Sequence, residues 1–383
     1  MTKALVLASA ASFALAGVAL AAPPVVDGTL DAAAYGPAKK LQDTPTGFGD
    51  STLGNIGTAN GSELDAAYGV IAGGKLHLFL AGNLESNFNK IEIFIDSKLG
   101  GQNKLRGDNA GVDFGGLNRM GDDGSNNGLK FDADVEADYW IGGTGDGTAL
   151  YGNYAVLETT GGGAGFYVGT GSYGSDGTLT GGDVGAPSIL LTINNSNTAG
   201  VDDTNVNDPS TVTTGIEVAI PMADIGNPIG KIRVSAFING SSHDFLSNQV
   251  LGGIGGGSNL GEPRNVDFAN IVGDQFFSVL LAGDMNGDGE INNQDIAPFV
   301  DGLTQTSQAQ RLIEAGDIDG NGVFNNQDIA PFVALLTGGR SLGDLAGNPD
   351  FAPLLSVVPE PASISLLGLA GLGLLSRRRV VRA

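Results

Sequence analysis

The chain has no cysteine and only two histidines, His77 and His243, among its 383 residues. Disulfides and thiolate metal sites are excluded, and a multi-histidine zinc site lacks its ligands. Charge is also scarce. Only 16% of residues are charged, and 19 Lys and Arg stand against 42 Asp and Glu, a net charge of −23. Phosphate backbones need clustered positive charge, so no nucleic-acid partner is expected. The acidity suits cation binding and solubility outside the cell. Aromatic residues are few at 7%, with a single Trp, yet 41% hydrophobic residues still supply a core. What the chain has in excess is glycine, 63 residues, more than double the usual share of about 7%. Glycine is poor helix material and good turn material. A mainly β fold of many short strands is therefore expected, with room for one large and one small domain.

The two ends read as addresses. Lys3 is followed by an apolar run from Ala4 to Leu20 and the small-residue triplet Ala19-Leu20-Ala21. This is the layout of a secretory signal peptide over residues 1–21, with cleavage after Ala21. At the other end, Pro359, Glu360 and Pro361 precede an apolar stretch from Ala362 to Leu375 and then Arg377, Arg378 and Arg379. About 14 residues span about 21 Å as a helix, short of a bilayer core of about 30 Å. The arginines would hold that end on the cytoplasmic side. Residues 358–383 closely resemble the PEP-CTERM sorting signal. The resemblance implies a short hydrophobic tail helix that lies transiently in the inner membrane, cut by an exosortase-type protease. The protein is then destined for the cell surface, outer envelope or extracellular matrix.

Two segments repeat 33 residues apart, one from Asp284 and one from Asp317. Oxygen-bearing side chains fall at loop positions 1, 3, 5, 9 and 12: Asp284, Asn286, Asp288, Asn292 and Asp295, then Asp317, Asp319, Asn321, Asn325 and Asp328. Gly289 and Gly322 occupy position 6, where the loop turns sharply. Glu290 and Val323 at position 7 offer a backbone carbonyl. This is the ligand logic of an EF-hand-type Ca²⁺ loop, so two structural calcium sites are expected. The last ligand is Asp, which reaches less far than the usual Glu. Phe324 at position 8 is bulkier than Ile291 and makes the second loop the less regular of the two. Pro298 and Pro331 sit in the first turn of the helices that follow, where a missing N–H is tolerated. Short helices are expected from Ile296 to about Leu303 and from Ile329 to about Leu336. A middle helix from about Gln308 to Glu314 would take Ser307 as its cap. Residues 283–340 thus resemble a dockerin, an all-α pair of calcium loop-helix motifs, which implies a cohesin-like protein partner. Asn293-Gln294 and Asn326-Gln327 replace the hydroxyl pairs common in that family, so a standard cohesin is not implied. A linker over 341–357 joins this module to the tail.

Residues 22–282 alternate turn-rich clusters with strand-like runs at Lys75–Ala81, Lys90–Asp96, Gly215–Pro221 and Lys231–Ile238. This spacing favours a large β-sandwich. Val26 to Asp31, Ile91 to Asp96 and Ile216 to Pro221 occur in an order similar to family 9-like carbohydrate-binding and DOMON-type domains. That resemblance implies a jelly-roll-like sandwich that binds, or once bound, extracellular polysaccharide. Tyr139 and Trp140, with Tyr151 and Tyr154, form the candidate stacking platform; the competing reading places Trp140 in the core. The acidic stretch from Asp108 to Asp138 reads as solvated loop, with a further Ca²⁺ site as the alternative.

No catalytic residue is singled out. Glu92, Asp96 and Glu217 are available as carboxylates, but nothing pairs them across a cleft as a glycosidase requires. Ser242, His243 and Asp244 are adjacent, and a triad needs convergence from separate segments. The expectation is a non-catalytic, surface-sorted binding protein. The alternative is a secreted polysaccharide-degrading enzyme tethered by the same module.

Overall fold

The computed structural model describes residues 22–201 and 209–337. The signal segment with Ala21, the linker at 341–357 and the sorting tail with Pro359, Glu360, Pro361, Arg377, Arg378 and Arg379 lie outside the described residues. Among the described residues, no helix is long and apolar enough to cross a membrane.

Glycine-rich turns break the first 280 residues into short strands. In chain order these are β1 (Lys40–Leu41), β2 (Glu63–Ala72), β3 (Lys75–Asn83), β4 (Lys90–Asp96), β5 (Tyr139–Gly145), β6 (Leu150–Val156) and β7 (Gly165–Gly171). They continue as β8 (Thr180–Gly181), β9 (Leu190–Ile193), β10 (Gly215–Pro221), β11 (Ile232–Asn239), β12 (Leu246–Val250) and β13 (Phe277–Val279). Two antiparallel sheets result, one ordered β1-β2-β3-β10-β9 and the other β12-β11-β4-β5-β6-β7-β8, with β13 beside β11. Late strands close against early ones in both sheets, β10 on β3 and β11 on β4.

Alternation decides which side chains face the partner sheet. Ile91, Ile93 and Ile95 of β4 and Val234, Ala236 and Ile238 of β11 meet Leu76, Leu78 and Leu80 of β3 and Ile216, Val218 and Ile220 of β10 in the central core. This is the sandwich expected from the spacing of strands and turns.

Much of the opposite face of the larger sheet is not left to solvent. Residues 97–138, including helix α2 (Gly116–Arg119), fold over it. A second core forms there from Leu117, Met120, Leu129 and Phe131 against Phe94, Trp140 and Phe237. The acidic stretch is therefore a cover rather than a solvated loop. Most of its large apolar residues are buried, Phe114 being an exception, and many of its carboxylates meet cations or backbone N–H groups: Lys104 with Asp122, Arg106 with Asp108, and Arg264 with Asp123. A smaller apolar cluster on the other sheet packs Tyr35, from helix α1 (Ala32–Tyr35), against Tyr68 and Phe79.

The C-terminal described region is helical: α3 (Ile296–Leu303), α4 (Gln310–Gly316) and α5 (Ile329–Thr337). Phe299 and Phe332 stack at 3.9 Å and 4°, relating α3 to α5 as the repeat suggests. The middle helix starts later than Ser307. Its N-cap is Ala309, with no side-chain capping bond. The helical region also rests on the sandwich. The Arg311 guanidinium donates to Asp96 Oδ1 at 2.8 Å and to the carbonyls of Ser97, Lys231 and Lys98. The Lys231 amide donates to Glu314 Oε2 at 3.0 Å.

Candidate metal centre

Both repeats fold into the same loop. Gly287, Gly289, Gly320 and Gly322 take φ between +76° and +88°, the left-handed turn that glycine adopts without strain. The position-1 carboxylates organise the turn. Asp284 accepts from the Gly287 and Gly289 amides at 2.7 and 2.8 Å, and Asp317 from the Asn321 and Gly322 amides at 3.0 and 2.7 Å. The position-12 carboxylates close it. Asp295 Oδ1 accepts from Met285 and Asn286, and its Oδ2 from Asn292. Asp328 repeats this with Ile318, Asp319 and Asn325. Asn292 and Asn325 complete capping boxes with those same aspartates, so each ligand loop hands directly to its helix.

The two copies differ in how they gather charge. In the second loop one oxygen from each of Asp317, Asp319 and Asp328 lies within 4.8 Å of the others. Three such carboxylates repel one another unless a cation lies among them, and hard oxygens in this number suit Ca²⁺. In the first loop position 3 is Asn286, whose Nδ2 donates to Asp288 Oδ2 at 3.0 Å. There Asp284 is 3% exposed. Burial raises its pKa to about 6 despite the Gly289 and Gly287 amides, and the charges of Asp295 and Asp288 add to the rise. Burial also raises Asp295. The residues of the second loop fit a bound calcium ion, and the first loop repeats the same donor positions. Carboxylate and amide oxygens from positions 1, 3, 5, 9 and 12 would hold it, joined by the carbonyls of Glu290 and Val323.

Phe324, the bulky residue of the second loop, is accommodated by glycine. A Cβ on Gly316 or Gly302 would lie 2.6 Å from its ring. The ring is buried edge-on against Phe299, with centroids 4.9 Å apart. The residues preceding each last ligand, Asn293-Gln294 and Asn326-Gln327, are exposed.

The sandwich candidates do not form a platform. Trp140 is fully buried beneath the 97–138 cover, and its indole N–H donates to Glu92 Oε2 at 2.8 Å. Tyr139 and Tyr154 point the other way, into the central core, and stack on each other with centroids 6.0 Å apart. Of the four, Tyr151 alone is more than marginally exposed. Alternation on β5 separates Tyr139 from Trp140, and a loop distant in sequence covers the outward one.

The strand carboxylates are likewise engaged. Asp96 meets Arg311 and Arg233. Glu217 accepts from the Tyr35 hydroxyl and the Asp27 and Gly28 amides. Glu92 accepts from Trp140 and contacts His243 Nδ1 at 2.6 Å. His243 does not pair with its sequence neighbours. Its Nε2 lies 2.9 Å from Asp113, which in turn meets Lys90 Nζ at 2.9 Å. Burial alone would lower the imidazole pKa, but the carboxylates on both nitrogens outweigh it and raise the group to about 9. Within this buried Glu92–His243–Asp113–Lys90 chain, Glu92 and His243 lie 151 residues apart, and no local spacing announces the contact.

A family model described as the dockerin type I domain matches residues 282–332. The PEP-CTERM protein-sorting motif matches residues 357–379. No curated protein matches the chain, and neither does any solved structure. Calcium is the ion that dockerin type I domains bind, in keeping with the loop chemistry. The chain is therefore an exported, surface-sorted protein that joins a mainly β sandwich to a dockerin type I module.

Proposed function

We propose that the protein is a non-catalytic surface component that binds two structural Ca²⁺ ions through its dockerin module and an extracellular polysaccharide through its sandwich. The repeated loop geometry carries this reading: the same carboxylate positions close both loops onto the same backbone amides, 33 residues apart. The module then joins the sandwich to a protein partner of cohesin-like type, which reads the exposed Asn293-Gln294 and Asn326-Gln327 faces in place of hydroxyl pairs. The sorting tail is handled by an exosortase-type protease at the membrane. A non-catalytic role is supported by the occupation of Glu92, Asp96 and Glu217 in buried structural contacts. A glycosidase needs its two carboxylates free to face substrate and water.

The alternative, a tethered polysaccharide-degrading enzyme, is separated by an activity screen on plant and microbial glycans. The proposal expects no turnover. Turnover that disappears in Glu92→Gln, Asp96→Asn or Glu217→Gln, with folding retained, would replace it with the enzyme reading. Metal dependence is checked by melting the chain in calcium and in chelator, with the helical module expected to lose stability in the latter.

A further inference from the structure

The 97–138 cover leaves part of the larger sheet's outer face open. There the outward residues Lys90, Thr144, Tyr151 and Asn153 floor a cavity of about 530 Å³, within the range of small-ligand sites. Phe88 stacks on Tyr151 at 6.4 Å and 28° to make one wall. Asp183, which accepts from the Tyr167 amide at 2.7 Å, closes the other. Phe114 stands at the rim with its side chain entirely in solvent.

Three separate features mark this cavity as built for a ligand. First, non-glycine residues with positive φ concentrate here. Phe88 (70°), Asp113 (45°) and Phe114 (54°) line it, and His243 (56°) lies directly beneath, bonded to Asp113. Such backbone conformations are costly for aromatic residues and collect at binding and catalytic sites. Second, the strain is held in place. The Glu92–His243–Asp113–Lys90 chain fixes Asp113, and the imidazole packs so closely on Gly116 that no Cβ would fit there. Phe114, between them, is thrust outward. Third, Asn153 is only 5% exposed, lines the cavity, and its side-chain amide makes no hydrogen bond to any described residue. The amide is not sealed inside the protein, so it opens into the cavity and can exchange water for a ligand's polar groups.

We infer that this cavity binds one ring of a neutral, hydroxyl-bearing glycan. The apolar face of a sugar ring suits Phe88, Tyr151 and Phe114. Its hydroxyls can meet the Asn153 amide, which both donates and accepts, together with the Asp183 carboxylate and the Lys90–Asp113 pair. Two carboxylates against one ammonium in the cavity, on a chain of net charge −23, disfavour an acidic sugar. The inference rests on the glycan-binding reading above and moves its location from Trp140 to this cavity.

The test uses the full chain in calcium. Neutral hexasaccharides of β-1,4-glucose, β-1,4-mannose, β-1,4-xylose, β-1,3-glucose and α-1,4-glucose are titrated by calorimetry, alongside an acidic α-1,4-galacturonate hexamer. At least one neutral probe is expected to bind. Phe114→Ala and Asn153→Ala should each weaken it about tenfold with the melting temperature preserved, since the Phe114 side chain is fully exposed and the Asn153 side chain bonds to no other described residue. Equal binding by wild type and both variants would overturn this cavity while leaving the glycan reading intact. No binding of any neutral probe would overturn both, and leave the calcium module untouched. Preference for the acidic hexamer would overturn the charge argument and the inference with it.

Discussion

Arg311 makes four of the hydrogen bonds that fasten the dockerin module to the sandwich, and Arg311→Met should loosen that joint without unfolding either part. Its side chain is 15% exposed and lies between α4 and the end of β4. It donates to three carbonyls at 2.9 to 3.2 Å and to the buried Asp96 carboxylate at 2.8 Å. Hydrogen bonds to a charged group contribute about 1.5–3 kcal/mol each when both partners stay buried. The carbonyls can rehydrate once the module shifts, so their sum is not recovered. Removing one member of a buried ion pair costs about 3–5 kcal/mol when the other is stranded. Asp96 is not stranded, because Arg233 remains 3.6 Å away. Methionine keeps most of the stem's packing. A loss of about 2–3 kcal/mol in docking follows, which is about 30- to 150-fold in the opening equilibrium. Hydrogen exchange reads this directly at the Lys231 amide, which donates to Glu314, and at the α4 amides. Exchange there should accelerate by that factor in Arg311→Met while the β3 and β10 amides stay protected. Unchanged rates at Lys231 and α4 would refute the assignment of Arg311 as a fastening residue.

Other expectations follow from the same geometry. Gly316→Ala places a Cβ 2.6 Å from the Phe324 ring and should destabilise the module by about 1–3 kcal/mol; Phe324→Leu in the same chain should recover part of that in a denaturant melt. His243 has its pKa raised from 6.5 to about 9 by Glu92 and Asp113, against burial. A raised folded-state pKa stabilises fully below the unfolded value and less as pH climbs through the folded one. The stability of wild type relative to His243→Gln should therefore shrink between about pH 6.5 and 9.5, by no more than about 3 kcal/mol; a constant difference over that window would exclude a charged imidazole. Trp140 is the sole tryptophan and fully buried, so emission should be blue-shifted, resistant to acrylamide, and unmoved by any bound glycan.

Much of the fold was legible in the sequence because the signals were local. Alternation located the strands at Lys75, Lys90, Gly215 and Lys231 within a residue or two. The repeated Asp, Asn and Gly spacing placed both loops and the helices from Ile296 and Ile329. Position 8 could not be judged locally: Phe324 fits because Gly302 on α3 and Gly316 on α4 leave room for its ring. The aromatic platform at Tyr139 and Trp140 does not form, for a related reason. Alternation shows that Trp140 faces outward from β5, yet not that residues 97–138 return to cover it. The Arg311–Asp96 contact joins residues 215 apart, and the His243–Glu92 contact 151 apart. Such contacts depend on which faces the sheets turn toward the module and the cover, which periodicity alone does not specify.

Calorimetric titration of Ca²⁺ into the full chain, compared with Asp295→Ala and Asp328→Ala, tests the central claim most directly. Two ions per wild-type chain are expected, and one per chain in each variant, since each aspartate closes a single loop. Failure of the wild type to bind calcium, or a stoichiometry that neither substitution changes, would contradict the account of the repeat as a pair of calcium sites.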